Sequence, residues 1–262
     1  MKVGFIGCGN MGAALAKAVY ISNCAEIYLT DTDIVKATTL AYETRARVSS
    51  KEEIASDCDI IFLAVKPNVI TDVIADLNGN FSENKPLIIS MAAGVKIKKL
   101  QNALPSGFPI IRIMPNTPVA VNSGMITYCK NELVTPSSTE DFKRIMSHGG
   151  TLDEICEELI DSATAIAGCG PAFAYMFINA LCEEGVKIGL SREKALLYAT
   201  KMLEGSAKMA LLSSDTPSAL KEKVCSPGGS TIEGVHALED AGFESAVRSA
   251  VRASYEKTKK LG

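Results

Sequence analysis

The chain has 262 residues, 47% of them hydrophobic and 22% charged, with a formal net charge of −3 and no tryptophan. That is the make-up of a soluble globular protein, long enough for one large domain or two modest ones with real cores. A slightly acidic chain offers no basic face, which excludes nucleic-acid binding and electrostatic membrane attachment as its main work.

Up to about residue 130, short runs rich in Val and Ile alternate with helical patterns. "KVGFIG" (2–7), "EIYLTD" (26–31), "IIFLAV" (60–65), "PLIISMA" (86–92) and "PIIRIM" (109–114) read as strands. Near-continuous apolar strands joined by helices predict a doubly wound, mostly parallel sheet covered on both faces. "GMITYC" (124–129) adds a strand, and "SSTEDFKRIMSHGG" (137–150) reads as a helix with a glycine stop. Beyond about 156 the strands vanish. Phe173, Met176, Phe177, Ala180, Leu181 and Ile188 keep helical spacing, and Ala172, Ala174 and Ile178 are apolar too, so a helix apolar all round is expected to be buried. A second long helix spans 191–212, capped by Ser191 with Glu193 in its first turn. "DTPSALKEKV" and the residues from Val235 onward also read as helices. Two long helices in barely a hundred residues make a poor core alone, so a homodimer through this half is predicted, with residues 1–155 as one domain and 156–262 as the other.

The eight cysteines are scattered, no Cys/His metal spacing occurs, and His148 and His236 stand alone, so no metal site is expected. Free thiols in apolar patterns suit a reduced cytoplasm. "MKVGFIGCG" is not a signal peptide, and the apolar run "AFAYMFINAL" (172–181) is too short to span a membrane.

Three stretches carry chemistry. "GCGNMG" (7–12) follows a strand and opens a helix, and Asp31 ends the next strand roughly twenty positions on, which is the layout of a dinucleotide site. Asp31 as an acceptor for a ribose hydroxyl leans toward NADH over NADPH, since neither Arg nor Lys occurs from 18 to 35; "TDTD" equally suits a helix cap through Thr32 or Asp33. "AVKPN" (64–68) ends a central strand: Lys66 fits a cofactor or substrate contact, and Pro67 fits the first turn of the next helix. "SPGGSTIEG" (226–234) interrupts helices with two glycines and three hydroxyls, which suits either a capped loop or a helix start that holds a carboxylate.

Taken together, "FIGCGNMG", "AVKPN", "MAAGV", "MPNTPVAVNSG", "ATAIAGCGPAF" and "SPGGSTIEGVHALEDAGF" resemble the pyrroline-5-carboxylate reductases in order and spacing, over essentially the whole chain. The resemblance implies a Rossmann domain followed by a helical domain that interlocks with its twin, an active site between subunits, and reduction of (S)-1-pyrroline-5-carboxylate to L-proline by NAD(P)H. It implies that Ile6, Gly7, Cys8, Gly9, Asn10, Met11, Asp31, Ser50, Ala64, Val65, Lys66, Pro67, Met91, Ala92 and Ala93 line the dinucleotide. Ser226, Gly229, Ser230 and Thr231 would hold the substrate, with Thr231 at the imine nitrogen and Glu157 on the substrate side. The chain departs from the family pattern at Cys169, where serine is usual, and at Ser50 and Lys223, where asparagine is common.

Overall fold

The computed structural model describes residues 1–83 and 85–260. Two compact units emerge, one formed by Met1–Cys169 with the final turns from Ser254 on, the other by Gly170–Ala253.

The first unit opens with β1 (Lys2–Ile6), α1 (Asn10–Ser22), β2 (Glu26–Thr30), α2 (Ile34–Thr44) and β3 (Arg47–Val48). The chain then returns across the sheet through α3 (Lys51–Asp57) into β4 (Ile60–Leu63), α4 (Ile70–Leu77), β5 (Leu87–Ser90), α5 (Ile97–Ala103) and β6 (Ile110–Met114). β7 (Gly124–Lys130), α6 (Pro136–Ile145) and β8 (Gly150–Glu154) complete it, followed by the short α7 (Ile160–Ala163) and a π-turn at Thr164–Gly168. The sheet order is β3-β2-β1-β4-β5-β6-β7-β8. All neighbours run parallel except β6 and β7. This is the mostly parallel, doubly wound sheet that the sequence predicts. Every residue of β4 is buried, and Phe62 stacks on Phe5 of β1 with ring centroids 4.4 Å apart. One apolar layer joins Leu15, Leu40 and Phe142 to one face of the sheet, and another joins Ile54, Ile74 and Leu100 to the other.

The strand order reverses between β1 and β4, and there the backbones meet with no room for side chains. Gly7 has φ +107°, and a Cβ on it would lie 2.4 Å from the carbonyl oxygen of Ala64. A Cβ on Gly12 would lie 2.3 Å from the Gly7 carbonyl oxygen. A left-handed turn and a helix pressed onto a strand both require glycine here.

Several elements differ from the sequence expectations. β1, β2, β4 and β5 end one or two residues earlier than read, because their last residues turn into the loops at the sheet edge, whereas β6 ends at Met114 as read and β7 runs one residue further, to Lys130. The helix expected over 137–150 stops at Ile145, and Gly150 starts β8 instead. β8 and β3 were not foreseen; β8 has only two half-buried residues, Gly150 and Leu152, and β3 is two residues long. Pro67 does not open a helix: it sits in a turn, and α4 starts at Ile70. The stretch 156–169, assigned by sequence to the second half, packs within the first unit.

The second unit consists of α8 (Gly170–Lys187), α9 (Arg192–Leu212), α10 (Pro217–Val224), α11 (Ser230–Asp240) and the start of α12 (Phe243–Lys259). Ser191 caps α9 by accepting from the Lys194 N–H, as expected. The region after Val235 is two helices, broken where Gly242 takes φ +73°. The expectation that the apolar helix is buried fails for the single chain: Tyr175 is 61%, Met176 74% and Ile188 75% exposed. Phe173, Phe177, Leu181, Tyr198, Met202 and Phe243 line an apolar trough of about 800 Å³. The helical run Glu157–Lys187 is long and apolar enough by composition to cross a membrane, correcting the shorter run read from sequence. The difference comes from the small apolar residues "ATAIAGCG" that precede it. An exposed apolar surface of this size marks an interaction site.

Two outcomes follow. Gly12→Ala should cost roughly 1–3 kcal/mol in chemical denaturation by overpacking, whereas Gly9→Ala, where a Cβ meets open space and φ is −68°, should cost almost nothing. Met176→Glu, at a site exposed in one chain, should abolish self-association in size-exclusion chromatography with light scattering; a substitution on a free surface would leave it unchanged.

Candidate active site

The β1–α1 turn gathers six of the residues picked out by sequence. Ile6 is locked to the neighbouring strand end, where its carbonyl accepts from the Ala64 N–H at 2.8 Å, and the Gly7 N–H donates to the Thr30 carbonyl at 2.8 Å. α1 then begins at Asn10 with Gly9 at its cap position, and no side chain caps it. Gly9 and Asn10 are exposed, and nothing lies within 4 Å of where a Gly9 Cβ would be. The result is a cradle with unpaired backbone N–H groups at the positive end of a helix, which fits a pyrophosphate.

Asp31 lies beside this cradle, at the end of β2. Its Oδ2 accepts from the Cys8 N–H at 2.6 Å and its Oδ1 from the Asp33 N–H at 2.8 Å. Two backbone donors thus fix the carboxylate while leaving lone pairs for a ligand hydroxyl. Asp33, not Asp31, caps α2, through the Val35 N–H. The Cys8 thiol next to Asp31 is pushed up to about 12, mainly by burial and further by the Asp31 charge, so it stays neutral. Ser50 caps α3 in a reciprocal capping box with Glu53.

Ala64, Val65, Lys66 and Pro67 leave β4 next to the β1–α1 turn, with Lys66 exposed. Met91, Ala92 and Ala93 leave β5 on the same edge of the sheet. The fold therefore brings all the proposed dinucleotide residues to the carboxyl ends of β1–β5, astride the point where strand order reverses. That crevice is where open α/β sheets bind ligands.

Glu157 faces inward. Its Oε1 accepts from the Ile97 N–H at 2.7 Å and from Arg112 at 3.1 Å. Arg112 is 1% exposed, and its other terminal nitrogen reaches Asp161 at 3.4 Å. Nearby, Asn116 accepts from the Met125 N–H at 2.8 Å and donates to the Ala167 carbonyl at 3.0 Å, tying down the π-turn. Sequence reasoning passed over Arg112 and Asn116. A single charge inside the apolar strand "PIIRIM" was the available signal, because a buried guanidinium demands partners.

In the second unit, α10 and α11 are joined through Cys225–Gly229, with Gly228 at φ +67° and the Gly229 N–H donating to the Ser226 carbonyl at 3.0 Å. α11 begins at Ser230 behind Gly229, again with no side-chain cap. Ser226, Ser230 and Thr231 are exposed, and among the described residues none of their hydroxyls is engaged in a hydrogen bond. Lys221 pairs with Glu239 at 3.1 Å and steadies α10 against α11. Free amides plus free hydroxyls at a helix start are suited to a carboxylate. Among the described residues no group of three His, Cys, Asp or Glu side chains is placed to hold a metal ion.

Known proteins resemble this chain over its whole length. Residues 157–261 match the model for pyrroline-5-carboxylate reductase dimerisation, and residues 2–94 match that for coenzyme F420-dependent NADP oxidoreductases. The pyrroline-5-carboxylate reductase of Escherichia coli (strain K12) is 40% identical over 99% of this chain and 98% of its own length. Pyrroline-5-carboxylate reductase 2 of Homo sapiens is 36% identical over 100% of this chain and 84% of its own. The crystal structure of Plasmodium falciparum pyrroline carboxylate reductase with NADP bound superposes with a TM-score of 0.89 at 36% identity, covering 100% of this chain and 98% of that one. With a dinucleotide cradle in one unit, a hydroxyl-rich helix start in the other and full-length relatives of this kind, the chain belongs to the pyrroline-5-carboxylate reductase family.

Proposed function

We propose that this chain is an NAD(P)H-dependent oxidoreductase that reduces (S)-1-pyrroline-5-carboxylate to L-proline, the last step of proline biosynthesis, as a homodimer in the cytoplasm. The observation that carries this reading is the pair of uncapped helix starts, at α1 and α11. One suits a pyrophosphate and the other a small carboxylate. Loss of nicotinamide absorbance on mixing enzyme, reduced dinucleotide and pyrroline-5-carboxylate tests it; turnover of other cyclic imino acids but not this one would overturn the substrate assignment.

When bound, the reduced nicotinamide would supply the hydride that the imine carbon receives, while the ring nitrogen takes a proton from solvent, directly or by way of the Thr231 hydroxyl, and ends as an amine. The chain supplies position and electrostatics. Backbone N–H groups of Gly9–Met11 hold the pyrophosphate, Cys8 lines the turn with its own N–H on Asp31, Asp31 accepts from the ribose, and Ala64–Pro67 with Met91–Ala93 line the crevice beyond. Ser50 sits at the adenosine side. The N–H groups of Ser230 and Thr231 grip the substrate carboxylate, with Ser226 and Gly229 shaping that loop. Thr231 Oγ1 donates toward the ring nitrogen and stabilises the charge that moves there. No histidine, cysteine or metal is required. The dimerisation match spans the apolar helices. A second copy covering Met176 and Ile188 gives that face its partner and places the site between subunits, with larger assemblies open to the same surface.

Asp31 favours NADH, because a 2′-phosphate would meet a carboxylate already fixed by two amides. Working NADPH use has its own support in the NADP-bound relative and in Lys36, which lies in the first turn of α2 and 3.5 Å from Asp33. Asp31→Ser should raise kcat/KM for NADPH relative to NADH, by roughly tenfold for each ~1.4 kcal/mol of repulsion removed; an unchanged ratio would make Asp31 a turn residue only.

Thr231→Ala keeps the backbone donors and removes one hydroxyl. It should lower kcat and kcat/KM together, by about 10²-fold, the low end for a positioned proton-transfer group. Thr231→Ser should keep most of the activity. Steady-state kinetics of the two variants decides, and a Thr231→Ala enzyme with wild-type kcat would reduce Thr231 to a helix-start residue.

A further inference from the structure

The geometry points to Glu157 as a positioning residue for the Met91–Lys96 loop, acting on the dinucleotide through the backbone rather than touching the substrate. This rests on the reading above that Met91–Ala93 line the dinucleotide.

The argument starts from Arg112, which is 1% exposed in the middle of β6. In the sheet Arg112 stands directly opposite Ser90, the last residue of β5 and the one before the loop. Its guanidinium holds Glu157, and the same Glu157 oxygen accepts from the N–H of Ile97, the first residue of α5 and the one after the loop. Sheet pairing at one end and the Arg112–Glu157–Ile97 chain at the other close a ring around residues 91–96. Within it the Val95 N–H donates to the Ala92 carbonyl at 3.2 Å, the Ala92 N–H reaches the Ser90 hydroxyl at 3.4 Å, and Gly94 takes φ +75°. Ala92 and Val95 are buried, while Met91 and Ala93 are half-buried.

The first N–H groups of a helix have no partner within it, so an outside acceptor decides where that end sits. A charged acceptor makes a shorter, stronger bond than a neutral one, and a charge held by a buried arginine cannot swing away. Glu157 therefore fixes the exit of the loop as firmly as the sheet fixes its entrance. Asp161 also pairs with Arg112 but makes no hydrogen bond to α5, which provides a control inside the same cluster.

The test is NADH binding to the dimeric enzyme without imino acid, read by nucleotide fluorescence, with folding checked by circular dichroism and light scattering. Glu157→Gln keeps the shape and removes the charge; it should raise the NADH Kd by about 3- to 10-fold, a part of what one charge-assisted hydrogen bond carries. Asp161→Asn should change it less than about twofold. With substrate present, Glu157→Gln should raise KM for NADH more than KM for pyrroline-5-carboxylate, whereas a substrate contact would do the reverse. Should Glu157→Gln fold poorly, Ile97→Pro removes the α5 donor while sparing the Arg112 pair, since proline suits the first helical position and Lys96 is already extended. It should shift NADH binding the same way. The inference is overturned by an unchanged NADH Kd in Glu157→Gln, or by an equal shift in Asp161→Asn. Ala93→Leu separates the two layers: weakened NADH binding there with normal binding in Glu157→Gln refutes the positioning role alone. Normal binding in Ala93→Leu takes the dinucleotide away from this loop and refutes both.

Discussion

The first unit turns on one close approach of backbones, where the loop leaving β1 meets the end of β4. Gly7 and Gly12 have no side chains because Ala64 and the Gly7 carbonyl occupy the space those side chains would need. Once that contact is made, α1 lies with its open end at the point where the strand order reverses. Nothing caps it, and its partial positive charge remains for an anion. The rest of the sheet serves to hold this geometry still: Phe5 and Phe62 stack behind the turn, and apolar layers cover both faces.

Burial and charge share the remaining work in that unit. Asp31 is held by two amides rather than by a cation, so its charge stays available. Arg112 is held by two carboxylates, and a buried guanidinium in that position is costly unless both remain. That cost is consistent with a cluster that serves to orient, because apolar residues of the same size in all three positions are often at least as stabilising.

The sheet was legible in the sequence because parallel strands buried on both faces read as unbroken apolar runs, as in "IIFLAV". Its last strand, β8, was not legible, since "GTLDE" is an edge strand with exposed polar residues that carry no such pattern. The dinucleotide cradle was visible through glycines at fixed spacing, and the start of α11 through its hydroxyls. Glu157 was found by family resemblance, but the direction it faces was not, because the pairing with Arg112 and the Ile97 amide joins positions far apart in the chain. The fate of α8 also escaped a one-chain reading. An all-round apolar pattern says that a helix is covered, not by what; in the single chain α8 stays exposed, and the region matches a dimerisation family.

Two helix starts without caps, each waiting for a different anion, make up the central claim. A crystal structure of the dimer with NADH and L-proline, which cannot react with each other, tests it most directly. The account predicts the pyrophosphate on the N–H groups that open α1, and the proline carboxylate on those of Ser230 and Thr231 with its nitrogen within hydrogen-bond reach of Thr231 Oγ1. A proline carboxylate held elsewhere, with the start of α11 left facing solvent, would contradict it.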